Sequence, residues 1–391
     1  MKRGQGDGMK SNHKRETGFS LIELLVAMAV TLIITAATLG LFQYALNMNA
    51  SGTQLSNING NLRSAMNLVT RDLLQAGQGI PTGGVALPVG TGCQNINRPV
   101  YTGTLQFPYG CPNAATFPNM PAVIPGNGLG PNVLQNPTLS WMPEGANKNS
   151  DMITAVYQDN NLITNLVPAT LQPNYLTTIS TTQLVFSNAV PITGVSVSNP
   201  AVAGDVFLVY GGGLYRYVVA TNVSGQTVTI SSGDPFNLNQ QGHAAGGTIS
   251  DMSTAGVPFG VSCNPVLTPL PAACAATAQR VLFVTYFLDN STVINGQLIP
   301  RLMRQVGMNA PTSVAEVIED LEISYDYVNG TAPINNVVVT PAGLTDNQIR
   351  KVNVYLAARS DAVLTSSGQY LRNNLATQVD VRSLAFVNRY Q

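Results

Sequence analysis

The most strongly patterned stretch of the chain is an apolar run over residues 24–42, which contains no charged side chain. As a helix rising about 1.5 Å per residue, it spans about 28 Å, close to the hydrocarbon thickness of a bilayer. Five basic residues precede the run, and Glu23 lies at its edge. The pattern predicts a membrane-spanning helix over residues 19–42 with its basic end in the cytoplasm.

The helix is predicted to continue beyond the membrane, because apolar residues recur at steps of three and four and form one face of an amphipathic helix. The series is Leu55, Ile58, Leu62, Met66, Val69 and Leu73. Gly40, Gly52 and Gly60 each weaken the helix by up to about 1 kcal/mol relative to alanine. Gly77 and Pro81 favour its end. One helix over residues 19–79 is expected, with its upper half packed on a globular head.

Residues 80–391 are predicted to form that head, in three regions. Residues 80–150 are rich in Pro, Gly and Asn and indicate long loops with short strands among them. Residues 151–279 favour a β-meander, with strand patterns over 152–157, 183–186, 205–210, 214–220 and 227–230. Residues 280–391 favour a C-terminal sheet, with strands over 280–288, 298–304, 321–327, 349–359 and 379–387 and a short helix or turn over 314–320. The fold class is therefore α+β: a long N-terminal helix packed on an antiparallel β-sheet head with long loops.

Composition favours a protein that works outside the cytoplasm. Charged residues are only 10 % of the chain, against a typical quarter in soluble proteins. The formal net charge is zero, and nothing in this balance indicates a strongly basic nucleic-acid-binding protein.

The N-terminal pattern carries a specific resemblance. Lys14 and Arg15, Gly18 followed by Phe19, and Glu23 four residues later resemble the class III leader and first segment of type IV pilins and pseudopilins. The resemblance implies that a prepilin peptidase removes residues 1–18 by cutting between Gly18 and Phe19, and that Phe19 is then N-methylated. The mature chain then keeps 14 basic and 17 acidic residues of the 19 of each, a net charge of −3.

Glu23 is the candidate assembly residue. A carboxylate at membrane depth costs about 2.5 kcal/mol or more. In a filament, Glu23 of one subunit can neutralise the terminal amine of Phe19 in a neighbour, which makes a charge-assisted pair from two isolated charges.

Two simpler interpretations of the N-terminus remain open. One is an ordinary secretory signal cut near Ala36 and Ala37, although the apolar run is long for such a signal and Glu23 lies where signals avoid charge. The other is a single-span anchor that is never cleaved.

Four cysteines form two locally spaced pairs, and an oxidising compartment beyond the membrane favours the disulfides Cys93–Cys111 and Cys263–Cys274. Each is worth about 3 kcal/mol. A zinc site is the alternative, disfavoured because neither pair has Cys-x-x-Cys spacing.

The C-terminal third carries a second resemblance. The segments YFL, LMR, VIEDLEISYDY, VYLAARS and VRSLAFVNR, in that order, resemble PilW-type minor pilins, as does Arg71-Asp72 near the end of the helix. These proteins also resemble the large minor pseudopilin of type II secretion. The likeness covers residues 14–79 and 203–391.

Other chemistry receives weaker support from the sequence. His243 lies in a glycine-rich loop, and no catalytic motif is found, so no enzymatic activity, cofactor or metal is expected. An acidic run, Glu316, Glu319, Asp320 and Glu322, is interpreted as a solvated helix face, with a calcium site as the lesser alternative. Nine of the 14 mature basic residues follow residue 279, and outward-facing strand positions explain them more simply than a DNA-binding strip does.

The combined expectation is a structural minor pilin of a type IV pilus that helps prime assembly. It is expected to lie in the inner membrane with its head in the periplasm, and later in the pilus at the cell surface. The implied partners are major and minor pilins, the prepilin peptidase and the pilus assembly platform. The alternatives are a type II secretion pseudopilin, a tip adhesin or DNA-binding subunit and, last, a membrane-anchored enzyme.

Overall fold

The computed structural model describes residues 20–88, 119–131, 149–159, 176–186, 200–240, 247–257, 276–294, 296–330, 332–364 and 368–381. One helix, α1 (Leu21–Gln75), precedes a head built largely of antiparallel strands. The α+β fold class expected from the sequence is confirmed.

The described part of the head contains nineteen strands, one short helix and a 3-10 helix over Asp346–Gln348. The first ten strands are β1 (Val85–Ala86), β2 (Asn119–Met120), β3 (Val123–Gly126), β4 (Met152–Gln158), β5 (Leu176–Ile179), β6 (Gln183–Phe186), β7 (Val206–Gly211), β8 (Leu214–Val219), β9 (Asn222–Ser224) and β10 (Thr227–Thr229). After the helix α2 (Asp251–Thr254) come β11 (Thr277–Asp289), β12 (Val293–Ile294), β13 (Gln297–Leu298), β14 (Arg301–Val306), β15 (Thr312–Glu316), β16 (Ile318–Asn329), β17 (Ala332–Val337), β18 (Ile349–Val363) and β19 (Tyr370–Asp380).

Helix α1 ends at Gln75, two residues before Gly77. The backbone N–H of Gly77 donates to the carbonyl of Val156 at 2.8 Å, and this glycine has a φ of +81°. A left-handed backbone costs glycine little, so the chain can leave the helix and join the sheet at once.

The upper half of α1 buries one apolar stripe in the head. The buried apolar side chains are Ile58, Leu62, Ala65, Met66, Val69 and Leu73. Burial of a large apolar side chain contributes roughly 1.5–3 kcal/mol, so this stripe holds the helix firmly on the head. Leu55, predicted as its first member, is 42 % exposed, and the first buried apolar residue of the stripe is Ile58.

A seven-stranded sheet forms the middle of the head, in the order β15-β14-β11-β4-β3, with β7 also paired to β11 and β8 to β7. The long strand β11 pairs with β4 through residues 281–286, with β14 through 284–289 and with β7 through 277–281. The predicted region boundary at residue 279/280 therefore falls inside β11.

The predicted meander is divided between two sheets. The β7–β8 hairpin belongs to the seven-stranded sheet, whereas β9 and β10 belong to a four-stranded sheet of order β5-β6-β10-β9. The division allows Phe207, Val209 and Val218 to share a core with Leu184 and Val228 of the small sheet.

The last strands form a second four-stranded sheet, here called the C-terminal sheet, in the order β17-β16-β18-β19. Asp151 joins it to the seven-stranded sheet at the edge of β16. The N–H of Asp151 donates to the carbonyl of Leu321 at 2.8 Å, and its carboxylate accepts the N–H of Ile323 at 2.7 Å. Apolar residues of α1 and of both sheets meet in one continuous core.

The short helix or turn predicted over residues 314–320 is wrong, because the segment is extended and divided between β15 and β16. Val317 lies between the two strands with a φ of +57°, and the pairing of β16 with β18 shifts register between Ile318 and Asp320. The last predicted strand, 379–387, overlaps the end of β19 at residues 379–380, and residues 382–391 lie outside the described part.

Candidate assembly site on the N-terminal helix

The lower half of α1 is apolar and exposed. Its large apolar side chains between Leu21 and Met48 are each 47–81 % exposed. By length and composition this helix is able to cross a membrane, and none of its most apolar stretch is buried within the molecule. Such a surface requires an apolar environment outside the subunit, either lipid or other helices.

Glu23 lies in the first turn of α1 and forms a capping box with Ser20. The Glu23 carboxylate accepts the backbone N–H and the hydroxyl of Ser20, each at 3.0 Å, and the Ser20 hydroxyl accepts the N–H of Glu23 at 3.3 Å. These bonds satisfy donors that a helix start leaves without intrahelical partners.

The capping box gives Glu23 a role within its own subunit that the sequence analysis missed. The signal was present, since Ser20-Leu-Ile-Glu23 has the S-x-x-E spacing of a capping box before an apolar run. Two roles for Glu23 must therefore be separated: capping of its own helix and neutralisation of a neighbour's amine. The second role stays a prediction, because Gly18 and Phe19 lie outside the described residues.

The glycines of the exposed helix are not required by packing inside the subunit. A Cβ atom added at Gly40, Gly52 or Gly60 meets nothing within 4 Å. That these glycines weaken the helix stays a prediction.

The upper end of α1 is fixed to the head by Asp72, which is 1 % exposed. Its carboxylate accepts hydrogen bonds from the Tyr286 hydroxyl at 2.6 Å, from Nε of Arg304 at 2.7 Å and from the Tyr157 hydroxyl at 3.3 Å. We call these four side chains the Asp72 cluster. It joins the last turn of the helix to three strands, β4, β11 and β14.

The electrostatics of the Asp72 cluster follow from burial and from the carboxylate. Burial and the proximity of Asp72 raise the pKa of Tyr157 to about 12, and burial with the hydrogen bond to Asp72 raises the pKa of Tyr286. Burial alone lowers the pKa of Arg304, but the hydrogen bond and charge of Asp72 outweigh it, so the net shift is upward. The tyrosines stay neutral donors and Arg304 stays a cation at neutral pH.

The acidic run at 316–322 is not a solvated helix face, and that interpretation is wrong. Glu319 is 1 % exposed and accepts Nε of Arg372 at 2.5 Å, while Nε of Arg359 lies 3.8 Å from its other oxygen. Asp320 is 2 % exposed. Within the described ranges, no group of three or more His, Cys, Asp or Glu side chains has an arrangement able to hold a metal ion.

Two C-terminal basic residues, Arg280 and Arg359, are buried in ion pairs, so the expectation of outward-facing positions is wrong for these two. Arg280 and Arg359 are 3 % and 2 % exposed. Arg280 pairs with Asp159 at 2.5 Å and with Asp205 at 3.1 Å. Arg301, whose side chain is 26 % exposed, pairs with Asp289 at 2.6 Å.

Other predicted sites lie outside the described residues. These are the cleavage site at Gly18 and Phe19, the cysteines Cys93, Cys111, Cys263 and Cys274, and the loop residue His243. The two disulfides stay predictions.

A comparison with known protein families matches the prokaryotic N-terminal methylation motif to residues 13–39. The match supports a type IV pilin-like or pseudopilin-like protein. The matched residues include Gly18, Phe19 and Glu23 and part of the exposed apolar stretch of α1. No curated protein matches the chain, and no solved structure matches it.

The pilin-like motif and the exposed apolar helix fit membrane anchoring followed by entry into a pilus. They also indicate, in general terms, interaction with other pilins and with the prepilin peptidase.

Proposed function

We propose that this protein is a minor pilin of a type IV pilus, a structural subunit of the complex that primes assembly and lies at the pilus tip. The observation that carries the proposal is the exposed apolar half of α1, which has Glu23 in its first turn and lies within the methylation motif as far as residue 39. The large β-rich head supports a minor role, because main filament subunits usually have much smaller heads.

The proposed mechanism begins with α1 in the inner membrane and the head in the periplasm. The prepilin peptidase cuts between Gly18 and Phe19 and methylates the new amine of Phe19. The helix then leaves the lipid for the filament, where neighbouring helices cover the same apolar side chains. Glu23 neutralises the amine of an adjacent subunit, which favours lateral assembly and sets the axial stagger.

The head acts as a rigid body in this mechanism. The buried stripe and the Asp72 cluster fix the upper part of α1 to two sheets, so a force on the helix is transmitted directly to the head. The proposed role is structural rather than enzymatic, with major and minor pilins and the assembly platform as partners.

A pseudopilin of type II secretion is the second candidate, because the methylation motif is shared by both classes. Deletion of the gene in the native host separates the two. Loss of surface filaments with normal secretion supports the pilus, and loss of secretion with normal filaments supports the secretion machine.

A set of three variants tests the assembly role of Glu23 in host cells. Glu23→Gln removes the charge but keeps a side chain that serves in a capping box. Ser20→Ala removes the cap but keeps the charge, and Glu23→Asp keeps the charge on a shorter side chain. The readout is the amount of the subunit in sheared pili relative to the membrane fraction.

The charge-pairing mechanism predicts that Glu23→Gln is excluded from pili while Ser20→Ala is incorporated. If Glu23→Gln enters pili as efficiently as wild type, neutralisation of a neighbour's amine is not what Glu23 does. If Ser20→Ala is excluded and Glu23→Gln is not, capping is its role.

A further inference from the structure

The C-terminal sheet has one face against α1 and an opposite face that is polar. Along β16, Leu321, Ile323 and Tyr325 belong to the core that includes α1. Since side chains alternate along a strand, Glu322, Ser324 and Asp326 lie on the other face. The partner positions of these three on β18 are Tyr355, Asn353 and Lys351.

A groove runs across this polar face. It has two adjoining halves of about 520 and 560 Å³, and Asn336, Asn353 and Gln378 line both. Tyr355 and Glu322 line one half, and Lys351, Arg350 and Asp326 line the other. Among the described residues, two acidic and two basic side chains lie in the lining, so the formal charge of this part of the groove is zero.

A hydrogen-bond network fixes the amide groups of the groove. Asp326, which is 8 % exposed, accepts Nδ2 of Asn353 and Nε2 of Gln378, each at 3.0 Å. Nε2 of Gln378 also donates to Oδ1 of Asn353 at 2.8 Å, and Nζ of Lys351 donates to Oε1 of Gln378 at 3.3 Å. Side chains from β16, β18 and β19 are thereby held in fixed orientations before any ligand arrives.

The wall of the groove at β17 holds a residue in an uncommon backbone conformation. Asn336 has a φ of +56°, and the pairing of β16 with β17 shifts register between Tyr325 and Tyr327. The backbone N–H of Asn336 donates to Asp326 at 2.8 Å, and its side-chain oxygen accepts the Ser324 hydroxyl at 2.5 Å. Such conformations are concentrated at binding sites, where the surrounding structure maintains them.

We propose that this groove binds a neutral oligosaccharide. Sugar hydroxyls donate and accept hydrogen bonds at once. The side-chain nitrogen of Asn336 offers donors, and the side-chain oxygens of Asn353 and Gln378, which each accept one hydrogen bond in the network, keep a second lone pair as acceptors. Zero formal charge suits an uncharged ligand, because Arg350 and Lys351 offset Glu322 and Asp326 and the lining has no net attraction for the phosphates of a nucleic acid. The ring of Tyr355 offers an apolar surface for the C–H face of a sugar ring.

The position of the groove leaves it accessible in an assembled filament. This one step rests on the proposed function. If α1 enters the filament core, the face of the C-terminal sheet opposite α1 points away from that core. The groove is then displayed on the filament surface, where extracellular glycans are present.

The test uses the full mature chain in lipid nanodiscs without glycoside detergents, whose sugar headgroups would compete for the groove. Isothermal titration calorimetry measures binding of maltotetraose, cellotetraose and chitotetraose at millimolar concentrations. The double variant Asn336→Gly and Gln378→Ala removes two exposed amides from the groove, and glycine accepts the positive φ at position 336. Gln297→Ala, an exposed amide on β13 outside the groove, is the matched control.

We expect at least one tetrasaccharide to bind, with affinity reduced about tenfold or more by the double variant and unchanged by Gln297→Ala. Absence of binding by all three, or equal binding by wild type and the double variant, would overturn the proposal. Because nanodisc-bound subunits need no assembly to bind sugar, this result is independent of whether the protein enters pili.

Discussion

The carboxylate of Asp72, in the last turn of α1, accepts a hydrogen bond of 2.6 Å from the hydroxyl of Tyr286 in β11. Both side chains are almost completely buried, at 1 % and 0 % exposed. Arg304 supplies the compensating charge at 2.7 Å from the same carboxylate oxygen. A buried carboxylate therefore lies where the helix meets the head. It is the acceptor for the hydrogen bonds of all three other side chains of the Asp72 cluster.

Replacement of Asp72 by alanine is expected to lower the free energy of unfolding by about 3–5 kcal/mol, because it leaves a partly buried guanidinium and two buried hydroxyls without their acceptor. Asp72→Asn removes the charge but keeps one acceptor, so its effect should be smaller. Urea denaturation of the full chain in detergent, followed by near-ultraviolet circular dichroism, measures both.

Asp361→Ala is the matched control for Asp72, since Asp361 is exposed on the last part of β18. Its effect should lie within about 0.5 kcal/mol of wild type. Equal effects of the two alanine variants would contradict the structural role of the Asp72 cluster.

The acidic run offers a direct contrast between two neighbouring glutamates. Glu319 is buried against Arg372 and Arg359, whereas Glu316 is exposed in β15. We expect Glu319→Ala to destabilise the head by about 3 kcal/mol or more and Glu316→Ala by less than about 0.5 kcal/mol. The same urea denaturation measures both variants, and similar small effects would contradict the role of the buried Glu319 ion pairs in stability.

The raised pKa of Asp320 predicts that the difference in stability between wild type and an Asp320 variant depends on pH. Burial, and then the charges of Asp151 and Glu319, raise its pKa to about 7. Because the folded state keeps this proton while the unfolded state loses it near pH 3.9, the contribution of Asp320 to stability falls as pH rises from about 4 to about 7. The isosteric variant Asp320→Asn carries no such penalty.

Asp320→Asn should therefore gain stability over wild type progressively between about pH 4 and pH 7, by at most about 4 kcal/mol, and keep a constant advantage above that window. Urea denaturation at a series of pH values measures the difference, with Asp361→Asn as the control. A difference that does not change with pH would show that Asp320 is not protonated in the folded head near neutrality.

Gly52 lies in the exposed part of α1, where an added Cβ meets nothing within 4 Å. Gly52→Ala should stabilise the isolated subunit's helix by about 0.5–1 kcal/mol. Hydrogen exchange of the amides near residue 52 measures this as slower exchange.

Gly126→Ala provides the opposite case, since its Cβ would lie 2.8 Å from the carbonyl oxygen of Met152 in the paired strand. That variant should destabilise the head.

Faster exchange around residue 52 in Gly52→Ala would contradict the prediction for Gly52 and would indicate that Gly52 has a packing role in α1.

Much of the fold follows from local patterns in the sequence. The apolar run, the stripe from Ile58 to Leu73 and the stop at Gly77 define α1, because helix periodicity is a short-range property. The strands near β4, β6, β7, β8, β11 and β18 follow in the same way from their apolar and β-branched runs. The sheet to which each strand belongs does not follow from local patterns, which is why the single meander predicted over residues 151–279 is divided between two sheets.

The error at residues 314–320 has a local physical cause. Val317 adopts a positive φ, and a register shift follows between Ile318 and Asp320. The two-residue alternation of a strand is broken there, and Val314, Ile318 and Leu321 fall at steps of four and three, like those of a helix.

The Asp72 cluster could not be predicted from patterns in the sequence. The residues that bind Asp72 lie 85, 214 and 232 positions away along the chain. Local polarity predicts exposure for an isolated aspartate in a helix, and only the tertiary arrangement supplies its partners. The capping box at Ser20 and Glu23, by contrast, was visible in the sequence.

The central claim is that this chain is processed as a prepilin, and the mature N-terminus tests it most directly. Intact mass and N-terminal peptide mapping of the protein from its native host give the answer. The account predicts a chain that begins at methylated Phe19. A chain that retains residues 1–18, or one cut near Ala37, would contradict it.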